Sequence, residues 1–310
     1  MPQDALSLLS QAQTTGEPLK GVSLDGLSLA DYNFKSLVFE RCSFKGADLA
    51  GASVLDTAFL DCDFTGASFE RASICRAKFT GPLMTKVNFT KATISSCSIS
   101  ISRFLNVDFS RTTFFDSDFG EKSEFEKCLF SSANCGQSHF GATVFKGAAL
   151  DLTVIKDTAF ASLAIVGSNA VQLQAPGLIA HGLEVTESDL SLANFSSSDL
   201  TGAKLAGQTL ASGFFKEAIL SGADLKGANA SKAIFTGAKL DKANLQDMSA
   251  PYADFSHAKF TLTLLKGADL SGAKFHRAID LDLMGVKSSK GAKFTDDDLA
   301  RAEDFRPQVV

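Results

Sequence analysis

The chain has 310 residues, with 30 Lys plus Arg against 35 Asp plus Glu and a net charge of −5. That balance excludes the basic face of a nucleic-acid binder, so no direct nucleic-acid contact is expected. No stretch approaches the ~18–20 consecutive apolar residues of a membrane span, and 27 Phe with 2 Tyr and no Trp mark selection for a ring without a polar handle.

In chain order, "MPQDALSLLSQAQ" has no basic segment followed by an apolar run. No secretory leader is therefore expected, and the cytoplasm is the expected location, with non-classical export as the alternative. "DALSLLSQAQ" predicts a short helix, with Asp4 as its N-cap and Leu6 and Leu9 turned toward the core. From Leu24 a large apolar residue then returns at every fifth position, through Phe34, Phe39, Phe59, Phe79 and Ile99 to Phe119. The next step would land on Glu124. The beat resumes one residue later at Phe125 and holds to Phe275. A second position, two residues before the beat, holds small residues, as at Ala47, Ala67, Ala223 and Ala243. The beat is only alanine at Ala170, Ala175, Ala180, Ala230 and Ala250. Before Ala175, Ala180 and Ala250 stand Leu173, Leu178 and Met248, so the enclosed volume is roughly kept there, whereas Ala170 with Ser168 and Ala230 with Ala228 are not compensated locally.

A helix face needs returns at three and four, and a flat strand returns at two. A pair two apart that recurs after five wants a short extended side followed by a corner. Four such sides close a square coil, and coils stack through strand-like hydrogen bonds about 4.8 Å apart. The predicted organisation is a single solenoid domain, 1–310. It comprises a helical cap (1–19), coils in a first frame (20–119), a bulge (120–124), coils in a second frame (125–285) and a C-terminal cap (286–310). In the last of these, "TDDDLARAEDF" predicts a helix capped by Thr295, with Leu299 and Phe305 packing down.

The units "GADLA" (46–50), "GASFE" (66–70), "SGADL" (221–225) and "KGADLSGAKF" (266–275) match the pattern A(D/N)Lxx. In this the chain resembles the pentapeptide-repeat family over about residues 20–285. The resemblance implies an all-β fold, a right-handed quadrilateral parallel β-helix with short helical caps. It also implies two possible uses of the rod: in part of the family a terminal helix mediates dimerisation, and members that inhibit or protect type II topoisomerases present an acidic face shaped like DNA. Here Asp48, Asp63, Asp224 and Asp254 share the slot before the beat with Lys78, Arg103, Lys239 and Lys274, so the charges interleave. The run "GEPLKGVSLDGLSLADYNF" (16–34) resembles the start of members associated with bacterial type VI secretion.

Four of the six cysteines, Cys42, Cys62, Cys97 and Cys128, fall on the small inward position and Cys135 on a beat. Cys75 alone points outward, which reads as buried thiols used as small hydrophobes. His139, His181, His257 and His276 all fall on outward positions. His257 and His276 come near each other on neighbouring coils without an evident third ligand, so no metal site and no cofactor is expected. No nucleophile, phosphate-loop or zinc-protease motif occurs, and the chain is not expected to be an enzyme.

Residues 158–183 carry no Asp, Glu, Lys or Arg. With Val154, Val166, Val171, Ile179 and His181 pointing outward, this stretch is the expected partner surface. The function expected is a protein-binding scaffold or adaptor, an accessory of type VI secretion. The alternatives are a DNA-mimicking modulator or protector of DNA gyrase and a secreted effector.

Overall fold

A computed structural model describes residues 2–100, 102–120, 122–156 and 158–304. The chain forms two compact units, Met1–Ala175 and Pro176–Val310. Each is a right-handed quadrilateral parallel β-helix. Its local logic is the five-residue beat. The beat residues point in and are buried, and in most coils so is the residue two before the beat: Phe44 with Cys42, Phe235 with Ala233. The residue two after the beat takes a left-handed φ, for example Gly46 at 61° and Lys232 at 58°. There the chain turns, and the amide three after the beat donates to the beat's own carbonyl, as Ala47 does to Phe44 at 3.0 Å. A turn of this kind needs φ > 0 at its third residue, which is why glycine recurs at that position.

In the first unit an α-helix, α1 (Pro2–Thr15), covers the first coil. It starts at Pro2, before the expected cap Asp4, whose side chain lies outside the described residues. Its buried face is Ala5, Leu9 and Ala12, whereas Leu6, expected to pack inward, is exposed. The helix ends at Gly16, whose φ of 73° suits a C-terminal cap. Behind it, strands one coil apart pair in parallel with an offset of twenty residues, as in Phe39↔Phe59 and Val54↔Ile74.

At the break in the beat the offset becomes twenty-one: Phe104 pairs with Phe125, Asp108 with Leu129 and Asp118 with His139. One coil later it is twenty again, as in Leu129↔Ala149. The extra residue lies between Asp118, which pairs with His139 at twenty-one, and Lys122, which pairs with Ala142 at twenty. Strands Phe140–Lys146 and Phe160–Val166 run through positions where other coils turn, and neither Ala142 nor Ser162 is among the positive-φ residues.

In the second unit most sides are reduced to a single bridge, again at an offset of twenty, from Ile179↔Asp199 to Lys259↔Ile279. The last coil is one residue short: Asp269 bridges Ser288 and Lys274 bridges Lys293. Leu178, Ala180, Met248 and Ala250 are all buried, as the exchange of large and small residues requires. The column Phe195, Phe215, Phe235, Phe255 and Phe275 stacks at centroid separations of 4.9–5.6 Å, and Phe294 continues it on Phe275 at 5.8 Å. The second helix, α2 (Asp297–Asp304), follows. Asp296, not Thr295, caps it: its Oδ1 accepts from the amides of Asp298 and Leu299 at 3.0 Å each. Thr295 Oγ1 instead accepts from the Arg277 amide at 3.1 Å. Leu299, expected to pack down, is about half exposed, and Phe305 lies outside the described residues. Among the described residues no helix is long and apolar enough to cross a membrane.

Candidate functional site

The five residues nominated for partner contact are not gathered on one ladder. Val154 bridges Asn134 and Gln174. Val166 pairs with Lys146 on a different sheet, and the Val171 carbonyl accepts from Leu152 on another side of the coil. All three valines are half-buried. Within the first unit the charge-free stretch is thus a band around the coil, not a patch on one face. In the second unit Ile179 is exposed on a ladder with Asp199, and His181 Nε2 lies 3.0 Å from the Asp199 carboxylate.

The acidic slot before the beat has a local use. Asp48 Oδ1 accepts from the amide two residues on at 3.0 Å, and Asp63, Asp108, Asp224 and Asp254 do the same. The slot thus satisfies a corner amide, which Asp and Asn do equally well. Many outward carboxylates also face a cation on a neighbouring coil: Asp56 with Arg76 at 2.7 Å, Glu126 with Arg103 at 2.6 Å, Asp241 with Lys259 at 3.0 Å and Asp254 with Lys274 at 3.4 Å. Charge is paired at these positions, whereas the bridge ladders Asp48, Ser68, Asn88, Asp108 and Asp189, Thr209, Asn229, Ser249, Asp269 carry acids and no cation.

Five cysteines are buried and Cys75 is half-buried, all as free thiols. Burial pushes the Cys97 thiol up to about 11 and Cys128 up to about 12, so neither is a nucleophile at neutral pH.

The most concentrated chemistry lies at the end of the second unit, in a cleft of about 380 Å³ between the last coils and α2. His257 sits on a corner with φ 59°, and its amide donates to the His276 carbonyl at 2.7 Å. That bond stacks the two histidines on adjacent coils with ring centroids 5.4 Å apart. Contrary to the expectation of an outward, solvated ring, His276 is only 8% exposed. Its Nδ1 accepts from the Asp296 amide at 3.1 Å, which leaves the neutral ring's proton on Nε2. The last turn of α2 brings in Glu303, whose carboxylate oxygens lie 3.5 Å from His257 Nε2 and 3.3 Å from His276 Nε2. Arg277 secures this helix. It donates to the Ala300 carbonyl at 2.8 Å and to Asp304 at 2.5 Å, and its Nε lies 3.3 Å from Glu303 Oε2. The guanidinium holds the Asp304 carboxyl below its ordinary value. The sequence signalled the His257–His276 approach but not Glu303, which arrives from the helix and not from the repeat.

The family pattern described as pentapeptide repeats (8 copies) matches residues 42–81, 215–247 and 252–279. Among solved structures, HetL, a pentapeptide repeat protein involved in heterocyst differentiation regulation from the cyanobacterium Nostoc sp. strain PCC 7120, is 16% identical, with 92% of each chain covered and a TM-score of 0.29. QnrB1, a plasmid-mediated fluoroquinolone resistance protein, is 15% identical over 76% of this chain and 98% of its own, with a TM-score of 0.33. A pentapeptide repeat protein from the Arabidopsis thaliana thylakoid lumen is 30% identical over 38% of this chain and 71% of its own, with a TM-score of 0.16. No curated protein matches the chain. With a left-handed corner after nearly every five-residue side and the repeat pattern matched in both units, this chain belongs to the pentapeptide-repeat family.

Proposed function

We propose that this protein is a non-enzymatic, protein-binding scaffold. The observation that supports this best is the filled interior. In each unit the beat and its small companion occupy the inside of the coil, from Leu24 to Ala175 and from Leu178 to Phe275. The side chains left for recognition stand outside, on ladders spaced for contact with another protein surface. The finer reading, an adaptor serving type VI secretion, rests on the resemblance in residues 16–34. The proposed contact is the charge-free stretch, with Val154, Val166 and Val171 in the first unit and Ile179 and His181 in the second.

The test is affinity capture with wild-type protein and a Val171→Asp variant, each checked for unchanged β circular dichroism and melting. Capture of a secretion component by wild type and its loss in the variant is the expected result. Equal capture by both removes the band from the proposal. A supercoiling assay with DNA gyrase separates the DNA-mimic alternative. The carboxylate–cation pairs at Asp56, Glu126, Asp241 and Asp254 lead us to expect no effect, and inhibition or quinolone protection at stoichiometric protein would overturn the scaffold reading.

A further inference from the structure

We propose that His257, His276 and Glu303 form a binding site for a zinc-class divalent cation, and that the bound metal fastens α2 to the last coils of the second unit. The three residues place one ligand atom each within 4.8 Å of one another. Metal–ligand bonds of about 2.0–2.1 Å at a tetrahedral angle separate ligand atoms by about 3.4 Å. Glu303 Oε1 lies 3.5 Å from His257 Nε2 and Oε2 lies 3.3 Å from His276 Nε2, so each oxygen faces one imidazole at close to that tetrahedral edge, longer than the about 2.7–2.9 Å of a strong charge-assisted hydrogen bond.

Two imidazoles and one carboxylate suit zinc and its neighbours and disfavour Mg²⁺ and Ca²⁺, which prefer oxygen. The fourth position faces the cleft of about 380 Å³, open to water. The surrounding charges permit a cation. The Lys274 ammonium is turned to Asp254 at 3.4 Å, and Arg277 Nε lies 3.3 Å from Glu303 Oε2, the oxygen that faces His276, which orients the carboxylate so that Oε1 faces His257. Support of this outer kind tunes a metal ligand. Lys293 and Asp296, of opposite charge, also line the cleft.

Coordination has a chemical consequence at His276. Its Nδ1 accepts from the Asp296 amide, so the ring proton sits on Nε2. For a metal to bind Nε2, the proton there must leave with its bonding pair staying on the nitrogen, and the ring stays neutral by taking up a proton from water at Nδ1, where the new N–H faces the Asp296 N–H. The Asp296 amide must then turn to water or another acceptor. Occupancy is thereby coupled to the residue that caps α2.

The test uses the full chain, stripped with chelator and titrated with Zn²⁺ by calorimetry, with Co²⁺ as the spectroscopic probe and Mg²⁺ as the comparison. One Zn²⁺ per chain is expected, with a tetrahedral Co²⁺ spectrum. His257→Ala and Glu303→Gln should each weaken binding by more than about 100-fold, above the ~10–100-fold usual for an outer-shell partner, whereas His139→Ala should not change it. Hydrogen exchange should show the α2 amides slowed by Zn²⁺ and the Asp296 amide accelerated. Absence of stoichiometric Zn²⁺ binding, binding untouched by His257→Ala and Glu303→Gln, equal binding of Mg²⁺, or an Asp296 amide indifferent to Zn²⁺ would each overturn the proposed site.

Discussion

The Phe235 ring lies parallel to Phe255, with centroids 4.9 Å apart and planes 7° from each other. Its other face meets Phe215 at 4.9 Å and 9°. These residues are twenty apart, one coil each, so the aromatic column is the visible form of the sequence period. A ring covered on both faces has no room to relax when it is removed. Phe235→Ala should cost about 3–5 kcal/mol, read from urea unfolding of the second unit. Phe235→Asp places a charge at a fully buried site and should abolish cooperative folding there. A soluble Phe235→Asp protein with wild-type circular dichroism would contradict the column as the source of stability.

Gly213 occupies the small inward position, where the coils on either side place Ala193 and Ala233. Sequence alone suggests alanine would fit. The structure shows otherwise: a Cβ there would lie 2.9 Å from Phe215 Cε2 and 3.0 Å from the Leu210 carbonyl. Gly213→Ala should therefore destabilise by about 1–3 kcal/mol through overpacking. Adding Phe215→Leu should recover part of that loss. A double-mutant cycle with no coupling between the two positions would rule out the ring as the cause.

Why the repeat was legible and the cleft was not follows from the same physics. Inward positions are fixed by a local five-residue rule, so Phe39, Phe59 and Phe79, or Leu178 with Ala180, could be assigned to the core from spacing alone. The free, buried thiols of Cys42, Cys62, Cys97 and Cys128 followed from the same rule. The ends obey no such rule. Leu6 is exposed because α1 presents Ala5, Leu9 and Ala12 instead, and a helix's rotation depends on the surface it meets. His276 counts as outward by period, yet α2 covers it, and Glu303 comes from outside the repeat altogether. Nearness in sequence makes the valines of the charge-free stretch look like one patch. A coil that turns every five residues sends them to different sides.

Acid should weaken the corners of the second unit. The Ser271 hydroxyl donates to Asp269 Oδ1 at 2.7 Å and its amide at 3.1 Å, and these bonds hold the Asp269 carboxyl below its ordinary value. Burial pushes the Asp254 carboxyl up, but Ser256 and Lys274 more than offset it, and it too lies low. A depressed folded pKa means the folded chain binds fewer protons than the unfolded chain. Its contribution is therefore complete above the unfolded value of about 3.9 and is lost as the pH falls through the folded value. Melting temperature should be flat near neutrality and fall below about pH 4. Asp269→Asn keeps an oxygen for the Ser271 amide and should reduce the acid loss; an unchanged pH profile would assign the loss to other groups.

The corners offer a prediction with two opposite signs. Gly222 has a φ of 67°, and an added Cβ there would have no atom within 4 Å. Gly222→Ala thus isolates backbone strain from crowding and should cost about 0.5–1 kcal/mol net, the ~1–2 kcal/mol penalty for an L-residue in the left-handed region less the ~0.5–1 kcal/mol gained by restricting the unfolded chain. Leu262 occupies an equivalent corner with a φ of 58° and is 72% exposed, so it bears the same strain with little packing in return. Leu262→Gly relieves the strain but frees the unfolded chain, an entropic cost of about 0.5–1 kcal/mol. The difference leaves a net gain of about 0.5–1 kcal/mol. Urea unfolding of both variants checks the signs. If Leu262→Gly destabilised as much as Gly222→Ala, the left-handed corner would not be what limits residue choice at that position.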